Sequence, residues 1–208
     1  MTDREIIEHL RAKYGEQIEN IDKLPKSYWS GKCEDVKAIY LGCDPSNKHS
    51  KELPFAFAHK SNVKVFDAFI KFHENQLKAI NLSWENVYAQ NLCRNYFQKE
   101  TSNNKIWKKV ALEFWIEELK NELSIFPNNI PVILTSQYLL QVLGYNETSK
   151  YTAPDIYRGF VNTPIAATKN KLQRILIPVY RGRSPKLKKT YEMKNWEEYA
   201  DKIKSYFE

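Results

Sequence analysis

Four stretches of this 208-residue chain are apolar nearly throughout rather than alternating: Val36–Gly42, Val87–Leu92, Ile130–Ser136 ("IPVILTS") and Arg174–Tyr180 ("RILIPVY"). Strands covered on both faces read this way. Helical periodicity fills the gaps between them. Phe66, Phe69, Ile70, His73 and Leu77 share one face of a helix over 62–79. Ile106, Val110 and Phe114, with Trp107, Ala111, Trp115 and Leu119 one turn away, define another over 104–123. Gln137 to Leu143 forms a short helix that Gly144 ends as a C′ residue. Trp196, Tyr199, Ala200, Ile203 and Phe207 line a last helix, and "MTDREIIEHLRAKYG" is an amphipathic first one with Thr2 and Glu5 at capping-box spacing.

Strands that alternate with helices predict a parallel sheet with helices on both faces. Ligands of such sheets bind beyond the carboxyl ends of the strands. Each predicted strand places a polar group there: Asp44, Asn91, Thr135 with Ser136, and Arg181. The loop after the first strand, "GCDPSNKHSKELPFAFAHK", adds two phenylalanines, Phe55 and Phe57.

Composition narrows the class. A hydrophobic share of 42% with 13% aromatics fits a folded domain, and the length suits one domain over residues 1–208. No apolar run reaches the length of a membrane span, and the N-terminus lacks the apolar core of a signal peptide. A cytoplasmic monomer with no membrane partner is the expectation. Three cysteines, Cys33, Cys43 and Cys93, without CxxC spacing, argue against a disulfide framework and against a zinc or iron–sulfur site. No metal and no organic cofactor are expected. Lys and Arg outnumber Asp and Glu by 32 to 25, for a formal charge of +7, which suits a polyanionic partner. The run "RGRSPKLKK" (181–189) carries Arg181, Arg183, Lys186, Lys188 and Lys189 with no acid; it reads either as a solvated loop or as one that tracks phosphates.

The order of these features resembles the uracil-DNA glycosylase superfamily, as a divergent branch. Of the family's first motif, Gly-Gln-Asp-Pro-Tyr, Gly42, Asp44 and Pro45 match "GCDPS", whereas Cys43 and Ser46 depart from it. "LPFAFA" resembles the segment whose phenylalanine stacks on a flipped base; spacing from the glycine favours Phe57, and the Pro–Phe pairing favours Phe55. "VYAQNL" resembles the strand whose asparagine reads the base, at Asn91, and "IPVILTSQYLLQVLGY" the third strand and its helix. The family's last motif, His-Pro-Ser, has no histidine here. In "VYRGRSPKL", Arg181 or Arg183 takes that position, depending on the anchor.

The resemblance implies a three-layer α/β/α sandwich with a small four-stranded parallel sheet. It implies an enzyme that hydrolyses the N-glycosidic bond of uracil or a related damaged base in DNA, as in base excision repair. Asp44, with Arg181 or Arg183, would be catalytic. Gly42, Cys43, Pro45, Phe55 or Phe57, Asn91 and Ser136 would line the base site. Ser184, Lys186, Leu187 and Lys188 would meet the DNA.

The residue types suit that chemistry. A base in a duplex is reached only by flipping, at a cost of a few kcal/mol, and stacking on an aromatic ring returns ~1–3 kcal/mol. An asparagine amide complements N3–H and O4 of uracil. A carboxylate stabilises the sugar cation or orients water, and a guanidinium stabilises the departing base anion. Each feature taken singly has a plainer reading. Asp-Pro after a strand is usually a turn, and an Asn at a strand end usually a cap. His73 reads as a packed core histidine, His49 and His59 flank the loop without a motif, and Cys43 lacks a base to activate it. Two other functions fit the same pattern: a nucleic-acid-binding protein that kept the fold without catalysis, and a hydrolase of free nucleosides or nucleotides.

Overall fold

A computed structural model of the chain describes residues 2–47, 51–152, 155–156, 163–179 and 196–208. Four strands, β1 (Ala38–Gly42), β2 (Val87–Asn91), β3 (Val132–Leu134) and β4 (Leu176–Pro178), form one sheet in the order β2-β1-β3-β4. Every pairing is parallel. The strands fall inside the apolar runs but are shorter, because pairing ends where the loops leave the sheet plane. Each strand residue is buried, as the continuous hydrophobicity requires.

The first helix, α1 (Asp3–Tyr14), starts with the expected capping box: the Thr2 side chain accepts from the Glu5 amide, and the Glu5 carboxylate accepts from the Thr2 amide. The helix expected over 62–79 begins as a 3-10 turn at Lys64–Phe66 and continues as α2 (Asp67–Ala79). That expected over 104–123 consists of α3 (Trp107–Val110), a π-turn (Ala111–Trp115) and α4 (Ile116–Leu123). Asn104 sets its start by accepting from the Ile106 and Trp107 amides at 3.0 and 3.1 Å. Then follow α5 (Gln137–Leu143) and α6 (Trp196–Lys204).

The helix α5 ends at Gly144 as expected, but for a different reason. The φ of Gly144 is −68°, not left-handed. A Cβ there would meet the Leu140 carbonyl oxygen and the Ser149 amide nitrogen, each at 2.9 Å. Close backbone approach, and not a turn conformation, requires glycine at this position.

Helices cover both sheet faces. Tyr40 of β1 reaches α2, where its hydroxyl meets His73 Nδ1 at 2.6 Å and Gln76 Oε1 at 3.3 Å. Tyr88 and Gln90 of β2 donate to Glu122 of α4. Tyr88 pairs with Ile39, the neighbour of Tyr40, so the pleat sends Tyr40 and Tyr88 to opposite faces. This layering is compatible with an α/β/α sandwich. The core runs through the sheet and under the helices, with Trp115, Tyr40 and Tyr199 among its largest buried side chains. From α6, the Tyr199 hydroxyl donates to the Pro178 carbonyl at 2.6 Å, which pins the C-terminal helix to the end of β4. No described helix is long and apolar enough to cross a membrane.

Candidate functional site

The carboxyl ends of β1, β2 and β3 lie side by side on one sheet edge. Gly42 is in register with Asn91, and the parallel ladder continues past both: the Leu92 amide donates to the Gly42 carbonyl at 2.8 Å, and the Cys93 amide to the Cys43 carbonyl at 2.9 Å. Gly42 and Asn91 therefore share the face that carries Tyr40.

At Gly42 the missing side chain makes room for two others. A Cβ would meet Asn91 Oδ1 at 2.3 Å and Phe57 Cζ at 3.0 Å. The amide of Asn91 and the ring edge of Phe57 thus converge over a bare backbone. Asn91 is only 4% exposed; its backbone amide donates to Gln90 Oε1 at 2.9 Å, but its side-chain amide makes no hydrogen bond among the described residues. Most buried amides are satisfied. This one has no partner among the described residues, and its polar atoms keep some contact with solvent beside the Phe57 ring.

Phe57 is held in place by a clip of distant segments. The Tyr28 and Ala89 backbones exchange hydrogen bonds at the outer edge of β2, and Lys26 accepts from the Ala56 amide at 2.9 Å. The segment over 56–58 is a 3-10 turn, with Phe57 in the left-handed region at φ 58°. The alternation of Phe55 and Phe57 with alanine would suit an extended segment, and a tight turn forms in its place. The Phe57 ring lies 4.7 Å from Tyr40, 4.8 Å from His73 and 6.0 Å from Trp84. Phe55 points elsewhere, edge-on to Tyr28 at 5.5 Å. Of the two phenylalanines, Phe57 is the one brought to Gly42 and Asn91.

Asp44 stands at the end of β1, partly exposed. One carboxylate oxygen accepts from the Ser46 amide at 2.9 Å, an Asx turn around the buried Pro45. The other accepts from the Thr101 hydroxyl. Ser46 in turn accepts, through its hydroxyl, from the Phe97 amide at 2.8 Å, which ties the turn to the loop after β2. Burial lifts the Asp44 carboxyl above the usual carboxylate range, and the Ser46 and Thr101 hydrogen bonds pull it back in part.

Thr101 carried no sequence signal beyond the polar run "ETSNN" after the second strand. It reaches Asp44 across 57 positions of chain. The Cys43 thiol meets the hydroxyls of Ser136 and Thr101; burial, and secondarily the Asp44 charge, push it up to about 12. Cys93 is raised as well, by burial and by the charges of Asp44 and Cys43. Neither thiol is a thiolate at neutral pH, so neither is a poised nucleophile. Ser136 also caps α5 by accepting from the Tyr138 amide at 3.3 Å, and Thr135 bonds the Leu41 carbonyl at 2.9 Å, a packing role.

Neither His73 nor His59 is placed for chemistry at Asp44. His73 is a core residue, 2% exposed and bonded to Tyr40. His59 stacks 4.0 Å from Tyr28 and 4.7 Å from Trp84, and burial lowers it to about 4, so it is neutral at pH 7. Among the described residues, no three His, Cys, Asp or Glu side chains are grouped to hold a metal. His49, Arg181, Arg183, Ser184, Lys186, Leu187, Lys188 and Lys189 lie outside the described residues.

The strand-end edge therefore combines a turn-held carboxylate, a polar shelf of Cys43, Thr101 and Ser136, a side-chain amide at Asn91 unpaired among the described residues, and an aromatic edge at Phe57. Comparison with protein-family models and with curated proteins finds no match for the chain.

Proposed function

We propose that the chain is a DNA glycosylase of the uracil-DNA glycosylase kind, one that hydrolyses the N-glycosidic bond of uracil or a related deaminated base in DNA. The observation that carries this reading is the close approach at Gly42, where a Cβ would lie 2.3 Å from Asn91 Oδ1 and 3.0 Å from the Phe57 ring. It supports a planar, polar-edged ligand that lies by the ring and is read by the amide. Asp44 follows Gly42 by two residues, on the same strand end.

In this reading the flipped base lies by Phe57 and its N3–H and O4 meet Asn91 Oδ1 and Nδ2. As the glycosidic bond breaks, the base leaves with the electron pair and the sugar gains positive charge. Asp44, fixed by Ser46 and Thr101, faces that charge or orients the water that attacks it. A sugar cation beside Asp44 offsets the desolvation that raises its carboxyl, an interaction that strengthens only as charge develops. Arg181 or Arg183 would stabilise the departing base anion.

The test is incubation with uracil-, hypoxanthine- and xanthine-containing oligonucleotides, single- and double-stranded, beside the free nucleosides. Abasic sites in DNA are the expected product, and Asp44→Ala should abolish them while leaving DNA binding nearly intact. Asn91→Ala should slow uracil release and erode rejection of cytosine. Cytosine reverses both hydrogen bonds, and each buried mismatch costs ~1–3 kcal/mol. A protein that binds DNA yet releases no base would overturn the hydrolase in favour of a binding protein. Release from free nucleosides alone would overturn the DNA substrate.

A further inference from the structure

Four residues beyond Thr101, the chain builds a second feature that the site above does not use. Lys105, Lys108, Lys109, Leu112 and Glu113 line a shallow, open patch of surface. All five are exposed, Leu112 to 44%. Lys108 and Leu112, and Lys109 and Glu113, are each four apart on the helical run, so they share a face.

The charge on this face is not balanced. Some surface lysines have acid partners, Lys120 with Glu117, Lys150 with Glu147 and Lys204 with Asp201, while others such as Lys23, Lys32 and Lys64 have none among the described residues. Lys105, Lys108 and Lys109 have no ion pair among the described residues. The one acid in the patch, Glu113, is already engaged by the Lys13 ammonium and, at 3.1 Å, by the Tyr14 hydroxyl. A fourth cation, Lys171, donates to the Val142 and Gly144 carbonyls at 2.9 and 3.1 Å; its ammonium is made more acidic by burial and then by Lys108. Cations here repel one another, and an incoming polyanion relieves that.

Position gives the patch its meaning. Thr101 touches Asp44, and the four residues from Thr101 to Lys105 span at most about 14 Å. Phosphates of one strand follow each other every ~3.4 Å along the helix axis, so that distance covers about four nucleotides. A strand with one base at Asp44 has its flanking backbone within reach of Lys105, and Lys108 and Lys109 follow it on the first turn of α3. The exposed Leu112 and the lysine stems offer apolar surface for sugars, and the ammonium heads offer charge for phosphates.

We infer that the Lys105–Lys109 face is a docking surface for the phosphodiester backbone of the DNA strand that enters the Asp44 site. The inference rests on the glycosylase reading for its ligand, and its test separates the two.

The test measures anisotropy of labelled single- and double-stranded oligonucleotides from low to moderate salt, for the full chain and for a Lys105→Gln/Lys108→Gln/Lys109→Gln variant. Base release is assayed in parallel. The triple variant should flatten the slope of log K against log salt by two to three units, at roughly 0.7–0.9 per phosphate contact. At 0.1 M salt it should bind on the order of a hundredfold more weakly. An Asp44→Asn protein should keep the wild-type slope. Equal slopes for wild type and triple variant, in a protein that binds DNA and releases base, would overturn the surface and leave the glycosylase reading standing. Loss of slope in a protein that releases no base would support the surface and sink the chemistry. Equal binding of polyglutamate and an oligonucleotide of the same charge would overturn the assignment to nucleic acid.

Discussion

Replacing Gly42 with alanine adds one methyl group at the point where the candidate site is tightest. The backbone itself accepts alanine, because Gly42 is not among the residues with positive φ. The cost comes from contacts. The new Cβ would lie 2.3 Å from Asn91 Oδ1 and 3.0 Å from Phe57 Cζ. To reach even 3.0 Å from the Cβ, the amide oxygen must retreat by about 0.7 Å. It has little room, since Asn91 is 4% exposed and Phe57 is backed by Tyr40 and His73. Overpacking of this kind costs ~1–3 kcal/mol. Urea unfolding should show it as a lower midpoint at unchanged slope. If the chain is the glycosylase proposed above, displacing Asn91 by about 1 Å should also lower turnover on the order of a hundredfold. The decisive arm is the double variant Gly42→Ala/Asn91→Ala. Removing the amide removes the tightest contact and leaves the two to the Phe57 ring, at 3.0 and 3.3 Å, so the two substitutions should couple by ~0.5–3 kcal/mol. Additive effects, or a fully active Gly42→Ala protein, would refute the packing argument and with it the claim that Gly42 is glycine for the sake of Asn91.

Two further outcomes follow from Asp44. Thr101→Val keeps the side-chain shape but removes the hydroxyl that holds the charged carboxylate, so the Asp44 pKa should climb further and the acid limb of the pH–rate profile should move to higher pH, with Thr101→Ser restoring it; a lower rate with an unmoved limb would leave Thr101 a packing residue. Because burial raises the folded-state pKa of Asp44, its contribution to stability is full below the ordinary value of 3.8 and is lost as pH rises through the shifted one; Asp44→Asn should therefore raise the melting temperature at pH ~7 and raise it less as pH falls toward ~4, and a melting temperature that drops at neutral pH would contradict this.

Much of the framework was legible in the sequence, because the signals are local. Burial on both faces demands apolar side chains at consecutive positions, which placed all four strands. The Thr2–Glu5 spacing fixed the start of α1, since a capping box closes within one turn. Strand–helix alternation implied the parallel sheet, and with it the edge where Asp44, Asn91 and Ser136 lie. Four things waited for the tertiary structure, and each depends on segments far apart in the chain. Phe57 and Phe55 differ only in what the Lys26–Tyr28 segment does to the loop. Thr101 meets Asp44 from the loop that follows β2, with no periodicity to announce it. Gly42 reads as an ordinary strand-end glycine until Asn91 and Phe57 occupy the space of its missing side chain. The lysines at 105, 108 and 109 are three among the 32 basic residues of the chain until the fold gathers them around Glu113, which Lys13 already engages, just past the Thr101 that holds Asp44. Periodicity reports which face of an element is buried. Which residues of two distant elements meet depends on how the connecting loops cross the sheet edge, and that was decided only in three dimensions.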